Sequence, residues 1–376
     1  MTTSGLFADG AVVRTTGSAV VYGAGGVGHE VFRVLREAGI RVQCVLDRRA
    51  RPGDMHADVP LHSLESCPMD RHDRANVPVV IGIFNRSVDV PTVAQQLRAA
   101  GFAKIVSFVD LHAEFGEALG DRFWLTGRDV IDRHRADISR AESVLADVRS
   151  VTVYRSLIAL RECGEYGSGL RPSIDDVQYL PSDVPGWLAR TPVRFVDCGA
   201  YRGDTLEELL AAGVDIAASA HFEPDIENFV ALVSLLRAQR AASSTAALAW
   251  PCAVSDRTQL VPFGHGGDEA SRISAAASGT VAAVALDDVL VGWQPTFVKM
   301  DIEGSEIEAL IGARTLIGAD RPSLAICVYH RPDHLWRIPL LVSSWPELSG
   351  YRYYLRAHAF DGFDTVLYAN PSEVLS

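Results

Sequence analysis

Lysine is nearly missing from this chain. Of its 35 basic residues among 376, only Lys104 and Lys299 are lysines. The matching excess of arginine reads as a coding-composition bias rather than a functional surface. A net charge of −12 excludes the basic face that non-specific nucleic-acid binding needs. No apolar run reaches the ~20 residues of a membrane span, and no signal peptide opens the chain. A membrane partner is therefore not expected, and the cytoplasm is the default compartment. The six cysteines (Cys44, Cys67, Cys163, Cys198, Cys252, Cys327) are scattered, with no Cys-x-x-Cys pair. Several sit in apolar strand patterns, which predicts buried free thiols rather than disulfides or zinc ligands. There is no Walker loop and no Tyr-x-x-x-Lys pair, and two lysines leave little from which to build a lysine-dependent dehydrogenase.

What the chain does contain is two stretches of alternating strand and helix text, a length and pattern that predict an α/β protein of two domains. Residues 1–118 read as a Rossmann-like domain. Ala19–Tyr22 is a short apolar strand, followed by Gly23-Ala24-Gly25-Gly26-Val27-Gly28 and a helix that carries Val31, Val34 and Leu35. Val42–Leu46 is a second strand ending at Asp47, Val79–Phe84 a third, and Ile105–Phe108 a fourth. Residues 119–190 change to charged, helix-favouring text and then to an extended segment around Gln178–Pro181, a helical connector. From 191 to 376 strands and helices alternate again. Tyr351–Leu355 and Thr365–Tyr368 are late strands that make the sheet mixed but mostly parallel. Thr205 and Glu208 have the spacing of a capping box.

Two strand ends carry the chemistry. Arg194–Cys198 ends in Asp197 and opens a Gly199-Ala200-Tyr201-Arg202-Gly203 turn. One helix later, His221-Phe222-Glu223 places an acid at the end of the next strand, where a nucleoside's ribose hydroxyls are gripped. The turn lacks the spacing that cradles a pyrophosphate, and nearby acids repel phosphates. A cationic nucleoside such as S-adenosylmethionine fits better, although Gly199 and Gly203 would also serve close packing alone. Phe297–Met300 is an apolar strand ending in Asp301-Ile302-Glu303-Gly304-Ser305-Glu306.

Val196–Thr205, Phe222-Glu223-Pro224, Leu286–Val289 and Lys299–Glu306, in that order, resemble the FkbM family of S-adenosylmethionine-dependent methyltransferases over about residues 178–370. The resemblance implies a class I methyltransferase fold and transfer of a methyl group to a hydroxyl of a sugar or small natural product. It would place Asp197, Gly199, Ala200, Tyr201 and Gly203 around the methionine part, Glu223 on the ribose, and Ala253 and Ser255 beside the adenine. An alcohol must lose its proton as the new bond forms, so a base is required. Asp301 at its strand end is the first candidate, with Glu303 and His330 beside it. Glu303 and Glu306 also suit a helix N-terminus. A divalent cation held by Asp287, Asp288 and Asp301 is weighed but not favoured, since the first two could equally cap a helix.

In the first domain Gly23, Gly25 and Gly28 fit Gly-x-Gly-x-x-Gly, with Asp47 in the ribose position. Together with Ile81–Arg86 they are similar to the small nucleotide-binding domain that precedes sugar acyltransferases. That implies a nucleotide-linked sugar as ligand or acceptor. The rival readings are an NAD(P)-dependent oxidoreductase built on this domain, and a non-catalytic nucleotide-sugar-binding protein. Assembly into a homo-oligomer is left open.

Overall fold

The computed structural model describes residues 5–172, 177–242, 246–265, 271–273 and 279–372. The chain divides into two units: Met1–Ile138 with Val151–Ser173 and Ala357–Phe363, and Ser139–Ser150 with Ile174–Arg356 and Asp364–Ser376. Each is an α/β arrangement around its own sheet.

In the first unit the strands are β1 (Ser18–Tyr22), β2 (Arg41–Leu46), β3 (Met55–His56), β4 (Val59–His62), β5 (Val79–Ile81) and β6 (Ile105–Val106). Their order is β3-β4-β2-β1-β5-β6, parallel throughout except for the β3–β4 hairpin. Ala19, Val20, Val21 and Val79–Ile81 are all buried, the continuous apolar text of strands covered on both faces. Two strands are shorter than the sequence suggests. The last one stops at Val106 because the Ser107 hydroxyl accepts the Asp110 amide at 3.0 Å and caps a helix over Phe108–Leu119. The third stops at Ile81 because Gly82 lies against the Gly28 backbone, where a Cβ would come within 2.8 Å of the Gly28 Cα.

In the second unit β7 (Val193–Cys198), β8 (Ile216–Phe222), β9 (Ala246–Trp250), β14 (Phe297–Met300), β15 (Ser323–Cys327), β16 (Tyr351–Ala357) and β17 (Thr365–Pro371) form one sheet. The strands β10 (Ala253–Val254), β11 (Gln259–His265), β12 (Ser271–Ile273) and β13 (Gly279–Val284) form a second, smaller one. The large sheet runs β16-β17-β15-β14-β7-β8-β9, with β14, β15, β7, β8 and β9 parallel and β17 antiparallel to β15. Strand order reverses between β7 and β14, which leaves a crevice at their carboxyl ends. Phe195 and Phe297 stack beneath it at 5.0 Å. The expected capping box is absent. Gly203 is the N-cap of the helix Asp204–Ala211 with no side-chain cap, and Thr205 lies inside the helix, buried.

A buried guanidinium ties early residues to late ones in this unit. Arg356 pairs with Asp147 at 2.7 Å and Asp183 at 2.9 Å, and donates to the Ser150 hydroxyl. The cysteines are free, and all but Cys163 are buried. Among the described residues no helix is long and apolar enough to cross a membrane.

Gly28 sets the spacing of helix against sheet in the first unit, since a Cβ there would collide with the Gly23 carbonyl oxygen. Gly28→Ala should therefore cost about 1–3 kcal/mol. Thermal denaturation checks this, and an unchanged melting temperature would show that the turn yields freely.

Candidate active site

At the switch point the turn after β7 and the turn after β14 touch. Gly199 has φ +80°, and a Cβ on it would strike the Asp301 carbonyl oxygen. Only glycine permits both the conformation and the approach. The Gly199 and Ala200 amides donate to the Phe222 carbonyl at 3.0 Å each, which binds the turn to the end of β8. Gly203 serves packing: a Cβ there would press on Leu232 and Leu235 of the helix Ile226–Ala242.

Asp197 lies under this turn, fully buried, with Lys299 Nζ at 3.1 Å and His221 Nδ1 at 3.4 Å. Burial alone would raise its carboxyl, but Lys299 and His221 together hold it below the usual range. For Lys299 burial pulls the other way, and Asp197, then Asp301, keep the ammonium firmly charged. Lys299 also donates to the Gly199 carbonyl at 2.6 Å. The structure thus puts Asp197 beneath the turn as its brace.

Glu223 sits at the rim. Its Oε2 accepts the Tyr201 amide and its Oε1 the Asp225 amide, both at 2.8 Å. Burial pushes this carboxyl up to about 7 against the pull of those amides. Tyr201 is half-exposed at φ +47°. The Glu223 amide donates to the Trp250 carbonyl at 3.1 Å, and Trp250 stacks on Phe222 at 4.8 Å. Ala253 and Ser255 follow within five residues, both buried; the Ser255 amide is held by the Val284 carbonyl at 2.9 Å.

The acidic block is organised by histidine. Glu306 is fully buried, and its Oε1 accepts from His330 Nδ1 at 2.7 Å and from the Ile302 amide at 3.0 Å, while His334 Nδ1 lies 3.1 Å from Oε2. Burial works against this carboxylate, but the two imidazoles keep it well below the ordinary range. The other ring nitrogen of His330 faces Asp301 Oδ1 at 3.3 Å and Glu303 Oε2 at 3.8 Å. Burial would lower His330, yet three surrounding carboxylates, Glu306 first, push it up to about 10. At neutral pH it carries both protons, unlike the neutral imidazole that a base requires. Asp301 Oδ2 accepts from the Tyr179 hydroxyl at 2.8 Å. The Asp301 and Glu303 side chains stay 24% and 33% exposed, whereas His330 keeps 1%.

Asp287 takes the capping alternative, accepting the Thr315 and Leu316 amides at the start of the helix Arg314–Asp320. Asp288 accepts the Thr258 hydroxyl. Among the described residues no group of three His, Cys, Asp or Glu side chains is arranged to hold a metal ion.

Sequence reading missed Tyr179, Lys299, His221 and His334. Two of them left a signal: a lysine in an apolar strand of a chain that almost lacks lysine, and a second histidine four positions after His330. In the first unit Gly23, Gly25, Gly28 and Asp47 do meet at the β1–β5 switch point. Asp47 Oδ2 accepts the Ala24 amide at 2.9 Å and Oδ1 the Arg49 amide at 2.8 Å, while Gly25 is the N-cap of the helix Gly26–Glu37.

The second unit's mostly parallel sheet thus carries a glycine turn and an acid on neighbouring strand ends, with a partly exposed carboxylate across the crevice. Residues 197–361 match the methyltransferase FkbM domain, so the C-terminal region is an FkbM methyltransferase domain. The crystal structure of a methyltransferase FkbM from Methylobacillus flagellatus KT superposes with a TM-score of 0.76 at 26% identity. The match covers 97% of this chain and 94% of that one. Among curated proteins no match is found.

Glu306→Gln leaves two buried imidazoles without their shared anion and should cost about 3–5 kcal/mol. The sign of the pH effect follows from both partners. His330, raised to about 10, contributes fully below its unfolded value near 6.5, and this contribution drains away as pH rises toward 10. Glu306, depressed, contributes above about 4.5 and loses this as pH falls. The melting temperature should decline from pH 6.5 to pH 10 in the native protein and much less in Glu306→Gln; equal slopes would refute the pairing.

Proposed function

We propose that this protein transfers a methyl group from S-adenosylmethionine to a hydroxyl oxygen of a sugar or another small natural product. The observation that supports this most is the contact of Gly199 with the Asp301 backbone, which sets the cofactor turn and a partly exposed carboxylate side by side.

The residues suit the cofactor. Each Glu223 oxygen gives one lone pair to a backbone amide and keeps capacity for a ribose hydroxyl. Asp301 and Glu303 offer negative charge to a cationic ligand. When bound, the cofactor supplies a methyl on a sulfonium with a good leaving group. What remains for the protein is alignment and the removal of one proton. Asp301 is the proton acceptor, and its two oxygens are held in place by the Tyr179 hydroxyl and the His330 ring. His330, protonated and fixed by Glu306, positions that carboxylate and does not itself take the proton. Glu303, beside it at φ +55°, shapes the rim of the crevice.

Asp301→Asn should reduce turnover by about 10²-fold or more while calorimetry still registers S-adenosylmethionine. Near-normal turnover would remove Asp301 from the reaction. Recognition of ribose hydroxyls needs ionised Glu223, whose carboxyl lies at about 7. Affinity for the demethylated cofactor product should therefore rise by about tenfold between pH 6 and pH 8. Glu223→Gln should bind weakly at both values; a native-like pH response in that variant would show that another group titrates.

A further inference from the structure

The first unit holds a cleft of about 510 Å³, distinct from its glycine turn and lined by Asp89, Gln95, Arg98, Tyr166, Phe360 and Asp361 among others. Its size is that of a small-molecule pocket, about 300–1,000 Å³. On its wall is an acid that the fold does not satisfy. Asp361 is 2% exposed, sits at φ +58°, and its Oδ2 has no hydrogen-bond partner. A buried polar atom left unpaired is costly, and a bound molecule's hydroxyl is one way to satisfy it. Burial and then the neighbouring Asp89 drive this carboxyl well above its ordinary range, toward the protonated form. A neutral carboxyl donates through one oxygen and accepts through the other, the complement of a pair of adjacent hydroxyls.

The remaining walls narrow the ligand class. Arg98 is spent on the Gly5 and Leu6 carbonyls, at 3.2 and 2.7 Å, and Arg171 stands 3.9 Å from Asp89. An anion would meet the Asp89 carboxylate beside Arg171, and an Arg98 already committed to two carbonyls. A cation would meet two arginines. Tyr166, packed on Phe7 at 5.0 Å, and Phe360 add aromatic surface of the kind that covers the C–H face of a ring. We propose that this cleft binds a neutral sugar ring, with Asp361 and Gln95 reading adjacent hydroxyls against the Tyr166 and Phe360 side. The inference concerns the first unit and stands independently of the methyl-transfer reading.

The test is saturation-transfer NMR on the full chain with methyl α-D-glucopyranoside, methyl α-D-mannopyranoside and methyl α-D-galactopyranoside. At least one should receive saturation. Asp361→Gly, which glycine tolerates at that φ, should weaken it by about tenfold, and Gln95→Ala, on an exposed helix position, by about threefold. Asp361→Asn keeps a donor beside an acceptor and should stay within about threefold of native. Absence of saturation with all three glycosides would overturn the proposal. So would a signal untouched by both Asp361→Gly and Gln95→Ala, which would place the sugar elsewhere. Should Asp361→Gly fail to fold in a thermal melt, Gln95→Ala alone decides.

Discussion

A lysine buried between two carboxyl strand ends governs how the crevice of the second unit is built. Lys299, Asp197 and His221 are register partners on three adjacent parallel strands, so their side chains rise in one row on one face of the sheet. An ammonium taken out of water costs several kcal/mol unless it finds a counter-charge and further hydrogen bonds. Here Asp197 supplies the charge and the Gly199 carbonyl accepts the hydrogen bond. The same atoms that satisfy the lysine therefore fix where the glycine turn leaves the sheet. Because Gly199 carries no Cβ, the Asp301 backbone can come up against it.

A second buried charge layer does the same for the acidic turn. Glu306 gathers His330, His334 and the Ile302 amide around one carboxylate, and His330 extends the chain to Asp301. The acids that stay accessible, Asp301 and Glu303, are held by cations that are not. A crevice with a negative lip is thereby backed by buried charges of both signs, an arrangement suited to a positively charged small molecule.

Much of this was legible in the residues. The strand ends at Asp197, Glu223 and Asp301, the Gly199–Gly203 turn and the alternation of strand and helix all depend on neighbours within a few positions, which is the range over which pattern informs. The partnerships were not legible. Tyr179 reaches Asp301 across 122 positions, and the pairing of Lys299 with Asp197 depends on strand register that no local pattern encodes. The capping box at Thr205 failed for a related reason: Gly203, packed against Leu232 and Leu235, is the N-cap, so the helix begins at Asp204 and Thr205 falls inside it. His330 was found by its place at a strand end, but its protonation is set by three acids that the linear text does not bring together.

The knot at Arg356 bears on where this chain can be cut. Its polar side-chain partners, Asp147, Ser150 and Asp183, all precede residue 191, as does Tyr179. A fragment trimmed to the alternating strands alone would strand a guanidinium in an apolar interior and strip Asp301 of its hydroxyl donor. Excision at that seam would remove working parts, so Ser139–Ser150 and the residues directly ahead of β7 belong to the second unit as much as its strands do.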